Sequence, residues 1–376
     1  MFDLSQTRGP DELRCHRMKL PTTYDDDMLH YNFPLQQSRS NSAVVFSLVY
    51  PPVGFFPFYD IGNGDQYGFY WPIGREDKPP LVAFMSHDAI SLIPEHSSVE
   101  SMYECRLACS ADNEDAVAEL DDYRILLESD KVVSRRRSYR KPERRGSEVI
   151  ASDDFASLLM IDNSSPFYLC ASADLHAAND QFDEAEEKYR SSLMLCPDYA
   201  AAHFGLAAIL SGSRPIEATT HFRHALLAPP SFYGGSFWKE TSLPGSFRED
   251  WLRESIAWLQ NSAVPNSQLI DDPLLKMVDE LQFLCNLAAE SDLRVLDEVL
   301  NQFVDLELFD DAAKLWQTIG HHASFGLSSF TDVMRLTPRS FGNRLADLFR
   351  QAGNRLRSDL VSDMLERMRD PEGHYL

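Results

Sequence analysis

Residues 166–232 contain one arrangement twice. In PFYLCASADLHAANDQFDEAEEKYRSSLMLCPDY, residues 166–199, Phe182 is followed by Ala185, Tyr189, Leu193 and Pro197. In the next segment Ala202 and Leu206 come early, and Glu217, Ala218, Thr219, Phe222, Ala225, Leu226 and Pro230 follow. The two copies share a period of about 33 to 34 residues. Small residues three and four apart let two helices close on one another, aromatics fill the gaps, and a proline ends each copy. A unit of this size cannot bury its apolar face alone, so it must stack on a neighbour. A third, degenerate copy is expected at 293–326, where LFDDAAKLW places Phe309, Ala312 or Ala313, and Trp316 in the same order.

This pattern resembles the tetratricopeptide repeat, a helical hairpin. FDEAEEKYRSSLMLCPD is similar to the family's second helix. In the first helix, Ser172, Ala173 and His176 stand where the family has Leu-Gly and Tyr. The second copy fits better there, with Leu206 and Ala207, but its turn SGSRPIEA is shorter by one residue. The resemblance implies an all-α solenoid with a concave groove for a peptide or partner helix, at positions that fall on Phe167, Cys170, Asp174 and Phe204. A spacer or dimerisation surface fits the same repeats equally well. PPSFYGGSFWKETSLPGSF, rich in rings, reads as an ordered loop. Helical periodicity resumes in REDWLRESIAWLQ and DPLLKMVDELQFLCNLAAE, and the final stretch reads as an amphipathic capping helix or pair.

Charge divides the chain. Residues 1–130 carry a net −13, 131–150 a net +6 and 151–376 a net −16, for −23 overall. The basic run KVVSRRRSYRKPERRGSEV is too poor in apolar residues to offset its ordering entropy, so a linker is expected at 131–150, between a domain at 1–130 and another at 151–376. The acidic balance repels nucleic-acid phosphate and favours basic partners. With no apolar run near about 18 residues and no signal-peptide pattern at the N-terminus, no membrane association and a cytoplasmic address are expected. Six scattered cysteines (Cys15, Cys105, Cys109, Cys170, Cys196 and Cys285) include no CxxC pair, so reduced structural thiols are expected and no metal.

The N-terminal part has another texture. NSAVVFSLVY, FFPFYDI, QYGFYW and PPLVAFMSH are short apolar runs broken by Gly, Pro, Asn and Asp, which are strand and turn signals. After His87 the pattern turns helical, with Ser97 as a cap candidate and Glu100 three on, followed by a second helix in DNEDAVAELDDYRILLES. An α+β domain with an antiparallel sheet is expected. Within it, GNGDQYGFYW at 62–71 raises a chemical question. A dinucleotide fingerprint needs a helix behind its glycines, and here an aromatic strand and a proline follow. Nor does the chain contain a phosphate-cradling GK[ST], so no cofactor is expected. Asn63-Gly64 is instead a two-residue hairpin signal, with Asp65 bonding turn amides and Tyr67, Phe69 and Trp71 on one strand face.

The order of these elements resembles the SUKH superfamily, which groups fungal Smi/Knr-type cell-wall regulators with bacterial immunity proteins. The matching positions are Pro57, Gly62, Gly64, Asp65, Tyr67, Phe69, Pro80, Val82, His87 and Asp88, and LPTTYDDDMLHYN at 20–32 is similar to the family's first helix. The resemblance spans about residues 18–125 and implies a protein-binding module without catalysis. Its binding face would carry Asp60, Asn63, Asp65, Tyr67, Trp71, His87 and Asp88. Three function classes compete. One is a protein-binding module, of the kind that neutralises a basic toxin, on a repeat scaffold. The second is an intracellular scaffold that docks two partners without a toxin. The third is a hydrolase using Asp65 and His87.

Overall fold

The computed structural model describes residues 52–60, 65–86, 91–109, 154–232, 257–258, 272–276, 290–326 and 338–367. Outside them lie NSAVVFSLVY, the helix expected at 112–129, the basic linker, the stretch 20–32, and most of the helical stretches between 250 and 289.

Aromatic and branched residues build four strands: β1 (Phe55–Asp60), β2 (Gln66–Tyr70), β3 (Leu81–Ser86) and β4 (Ser91–His96). They form one antiparallel sheet in the order β1-β2-β3-β4. Every residue of β2 is buried, so both faces of the sheet's centre are covered. Gly68 is part of that packing: a Cβ there would lie 2.5 Å from the Phe55 ring and 2.6 Å from the Phe56 carbonyl. Asp60 pairs with Gln66, so residues 61–65 join β1 to β2. A two-residue turn at Asn63-Gly64 would pair Asp60 with Tyr67, one residue away from the observed register. A separate irregularity between Pro57 and Tyr59, farther from the turn, leaves one more residue of β1 without a partner.

Helices follow the sheet. They are α1 (Val99–Cys109), α2 (Phe155–Ile161), α3 (Pro166–Ala178), α4 (Phe182–Leu195), α5 (Ala200–Leu210), α6 (Pro215–Leu227), α7 (Pro273–Lys276), α8 (Glu290–Asp305), α9 (Phe309–Gly326), α10 (Pro338–Gln351) and α11 (Arg355–Arg367). A 3₁₀ turn spans Pro230–Phe232. Consecutive helices pack as pairs: α3 with α4, α5 with α6, α8 with α9, and α10 with α11. In three pairs the second helix carries a buried small residue four before a buried ring: Ala185 and Tyr189, Ala218 and Phe222, Ala312 and Trp316.

The connections also repeat. Asp180 has φ 60° and Glu307 has φ 60°, each two residues before the phenylalanine that opens the next helix. In both, the following amide bonds five residues back, Gln181 to the His176 carbonyl and Leu308 to the Phe303 carbonyl. This is a left-handed helix stop. The α5–α6 connection differs, and the expectation of a shorter turn is corrected. The shortening falls on the helix, with α5 at 11 residues against 13 for α3, while the non-helical connection is 211–214 rather than 179–181.

Sheet and helices share one hydrophobic core, in which Val53, Phe55, Tyr70 and Trp71 are continuous with Tyr189, Tyr199, Phe222, Trp316 and Phe349. Among the described residues, no helix is long and apolar enough to cross a membrane.

Gly205 tests the stacking of α5 on α4. A Cβ at Gly205 would lie 2.3 Å from the Tyr189 ring, which is itself buried. Glycine to alanine inside a helix ordinarily stabilises by ~0.5–1 kcal/mol. Here Gly205→Ala is expected to destabilise by ~1–3 kcal/mol, because the overpacked ring has nowhere to go. Urea unfolding of the two chains gives the sign.

Candidate functional site

Of the residues expected to form a binding face on the sheet, the described ones are placed as follows. Tyr67 and Trp71 are core residues, which corrects their assignment to a surface. Tyr67 of the central strand β2 packs on Phe84, and Trp71, just past the end of β2, packs on Phe56 and Phe69. Asp65 is partly buried just before β2, and Asp60 ends β1. Asn63, His87 and Asp88 lie outside the described residues, as does the side chain of Asp60.

The expected repeat groove is likewise closed at its named positions. Phe167 lies against Phe155 of α2, with ring centroids 5.5 Å apart, and Phe204 lies against Phe222 of α6 at 5.8 Å. Asp174 accepts a 2.5 Å hydrogen bond from the Tyr189 hydroxyl. These side chains hold helices together rather than lining a groove.

Polar chemistry gathers instead where β4 meets α1, α2 and α3. Pro94 is tolerated because β4 is a sheet edge. The register slips between Val82 and Phe84, since Val82 pairs with His96 but Phe84 with Ile93. Such a bulge re-aims the side chains beside it, here Glu95 and His96. Glu95 accepts from the Tyr67 hydroxyl at 2.9 Å and the Tyr168 hydroxyl at 3.4 Å. Arg106 of α1 donates to the Tyr67 oxygen at 2.8 Å, and its guanidinium carbon is 4.7 Å from that ring's centroid. Burial, with Glu95 adding to it, pushes the Tyr67 hydroxyl far above the usual tyrosine range.

Beside this group His96 is 1% exposed and edge-on to Tyr168, with ring centroids 5.6 Å apart. Its ring nitrogens have no hydrogen-bond partner among the described residues. Carboxylates flank it, Glu95 Oε1 3.6 Å from Nε2 and Asp162 Oδ2 3.8 Å from Nδ1. Burial outweighs them and holds the imidazole below the ordinary histidine range. Asp162 in turn accepts from Ser97, from its amide at 2.8 Å and its hydroxyl at 2.6 Å. Ser97 is therefore not the cap of α1; Ser98 accepts the Ser101 amide at 3.1 Å instead.

A second junction lies at the other end of β2. Asp198, between α4 and α5, is 4% exposed and accepts from the Tyr70 hydroxyl at 2.8 Å, the Ile73 amide at 3.3 Å and the Cys196 thiol at 3.3 Å. The buried Arg357 of α11 donates to the Trp71 carbonyl at 2.6 Å and lies 3.4 Å from the buried Glu76. General acid or base work needs a group within reach of a substrate's proton. His96, Asp162 and Asp198 are enclosed, so these junctions bond sheet to helix. Glu95, Arg106, His96, Asp162 and Asp198 carry them, and sequence reading did not single out any of the five. The adjacent Glu-His pair on a Pro-containing strand was the one local signal.

A family model of the YfbP N-terminal domain matches residues 37–117, which include all four strands and α1. That match confirms neither the SUKH resemblance nor the tetratricopeptide one. The chain is also similar to the uncharacterized protein YfbP of Escherichia coli strain K12, at 44% identity over 57 residues. The match covers 15% of this chain and 20% of that protein, so the chain spans about a fifth of its relative's length.

Tyr70→Phe removes one of Asp198's donors inside the core and is expected to cost ~1–3 kcal/mol in urea unfolding. Cysteine reactivity gives a second check. Burial, aided by Asp162 and Glu95, pushes the Cys105 thiol up to about 12, and burial raises Cys170 and Cys196 well above the ordinary range. Iodoacetamide at about pH 8 should leave these three unlabelled in the folded chain and label them in denaturant, because the thiolate is the nucleophile. Mass spectrometry of the peptides reads the result.

Proposed function

We propose that this chain is a non-enzymatic protein-binding protein, a SUKH-like sheet module carried on tetratricopeptide-type hairpins, whose partner is basic. The observation that carries this reading is a set of exposed apolar side chains at the tips of successive hairpins. Leu175 and Phe182 flank the α3–α4 connection, Ile216 opens α6, and Leu306 and Leu308 flank the α8–α9 connection. Phe182 is 49% exposed and Ile216 53%. Large apolar side chains grouped on element tips are a feature of interaction surfaces.

The first two tips adjoin, since ion pairs between Arg214 and Glu186 and between Arg190 and Glu217 tie α4 to the start of α6. Acidic side chains border the set: Asp180, Asp183 and Glu184 at the first tip, and Asp305 and Glu307 at the third. With a net charge of −23, that border selects a segment carrying both apolar and cationic residues. A basic toxin neutralised by occlusion is one partner of that chemistry, and a basic segment of a cellular protein docked without any toxin is the alternative.

Phe182→Glu with Ile216→Glu tests the reading in the full chain. Both positions are surface ones, so unfolding in urea should shift by no more than ~0.5 kcal/mol. Quantitative capture from the native cell should then lose a basic protein that the parent chain retains, and added salt should weaken the parent's capture. Identical recovery by parent and variant would overturn the proposal. The identity of the lost protein, toxin or cellular component, separates the two alternatives.

A further inference from the structure

Three histidines meet where α5, α6 and α9 pack. His203 of α5 is buried, and its ring centroid lies 5.3 Å from that of His221 and 5.1 Å from that of His224, both on α6. His203 Nε2 is 2.8 Å from the Pro197 carbonyl oxygen. A carbonyl only accepts, so this nitrogen carries the proton. In the neutral ring Nδ1 is then an acceptor, and His221 Nδ1, 3.0 Å away, donates to it. The chain of bonds runs from His221 through His203 to Pro197. A second proton on His203 would make it a buried cation with its ring centroid 5.1 Å from that of His224, and the bond to His221 would survive only if His221 moved its own proton to Nε2.

The surrounding charges make the three rings unequal. The free nitrogen of His221, Nε2, lies 4.0 Å from Glu217, so a proton gained there meets a carboxylate; Glu186 acts in the same sense and Arg190 of α4 against it. His203 feels the cationic Lys314 of α9 and the other two histidines. His224 feels Lys314 and Arg223, with Asp311 opposing them. Asp311 is already committed to Arg223 at 2.5 Å, and Lys314 to Asp310 at 2.6 Å.

We propose that His203, His221 and His224 form an acid-release latch, which holds α6 against α5 while His203 and His224 are neutral and frees it when they are charged. Burial, reinforced by the cationic neighbours, keeps His203 well below the ordinary value of 6.5 and His224 at about 4. A base whose folded value is depressed binds more protons when unfolded. The stability due to the neutral rings is therefore whole above 6.5 and falls as pH drops from there toward the folded values.

The test is urea unfolding of the full chain over about pH 7.5 to 5, with His203→Gln/His224→Gln as comparison. Glutamine offers an amide N–H to Pro197 and a carbonyl to His221 without titrating. Below 6.5 the parent's folding equilibrium constant should fall faster than the variant's, by about tenfold per pH unit for each histidine held neutral. Equal slopes in the two chains would overturn the latch. Should the variant fold poorly, nitrogen-15 histidine spectra of the parent decide: His203 is expected as the neutral Nε2–H tautomer down to about pH 5. A charged His203 in the intact fold above that pH would overturn it.

Discussion

A carboxylate sealed inside a protein must find its hydrogen-bond donors there, and Asp198 finds them on the sheet. Its partners Tyr70 and Ile73 lie more than a hundred residues upstream. Hydrogen bonds to a charged group contribute ~1.5–3 kcal/mol each, and loss of a donor leaves the desolvation cost behind. The same logic repeats along the seam. Ser97 serves Asp162, the Ser165 hydroxyl donates to the Glu95 carbonyl at 2.5 Å, and Arg357 of the last helix donates to the Trp71 carbonyl. Sheet and helices are joined by buried polar groups whose donors and acceptors come from opposite sides of the junction. Partial separation would strand several of them at once, which favours one cooperative body.

That seam takes up the polar cluster beside β4 in holding the sheet to the helices. Histidine, carboxylates, tyrosines and a thiol converge near β4, with His96 and Asp162 buried and Glu95 partly exposed. At the hairpin tips Leu175, Phe182, Ile216, Leu306 and Leu308 face solvent among acids, and Met160 and Met194 are exposed elsewhere. The molecule thus spends its polar contacts inward and presents mixed apolar and anionic tips outward.

Helical hairpins were legible because their determinants are local. An alanine four residues before a ring fixes which face closes, and the copy at Phe309, Ala312 and Trp316 was readable although its turn has no glycine. Strands β2 and β3 were legible from their ring-rich and branched runs between prolines. Binding assignments were less so. Tyr67, Trp71, Phe167 and Phe204 are large, and a large ring reads alike whether it meets a partner or its own core. Ser97 and Ser98 were indistinguishable as caps until Asp162, 65 residues away in sequence, took the first.

The sequence by itself determined strands β2 and β3, the helical hairpins with their period, and the net acidic charge, because periodicity and charge act over a few residues or over the whole chain; β4, at 91–96 where a helical pattern was expected after His87, was not legible there. Tertiary structure alone decided that β4 bulges, that Asp162 and Asp198 face the sheet, and that three histidines from two helices meet. Those outcomes depend on pairs far apart in sequence, and a residue's type does not name its distant partner. The physical reason is burial: a polar group is committed only when water is excluded from it, and exclusion is a property of the packed whole.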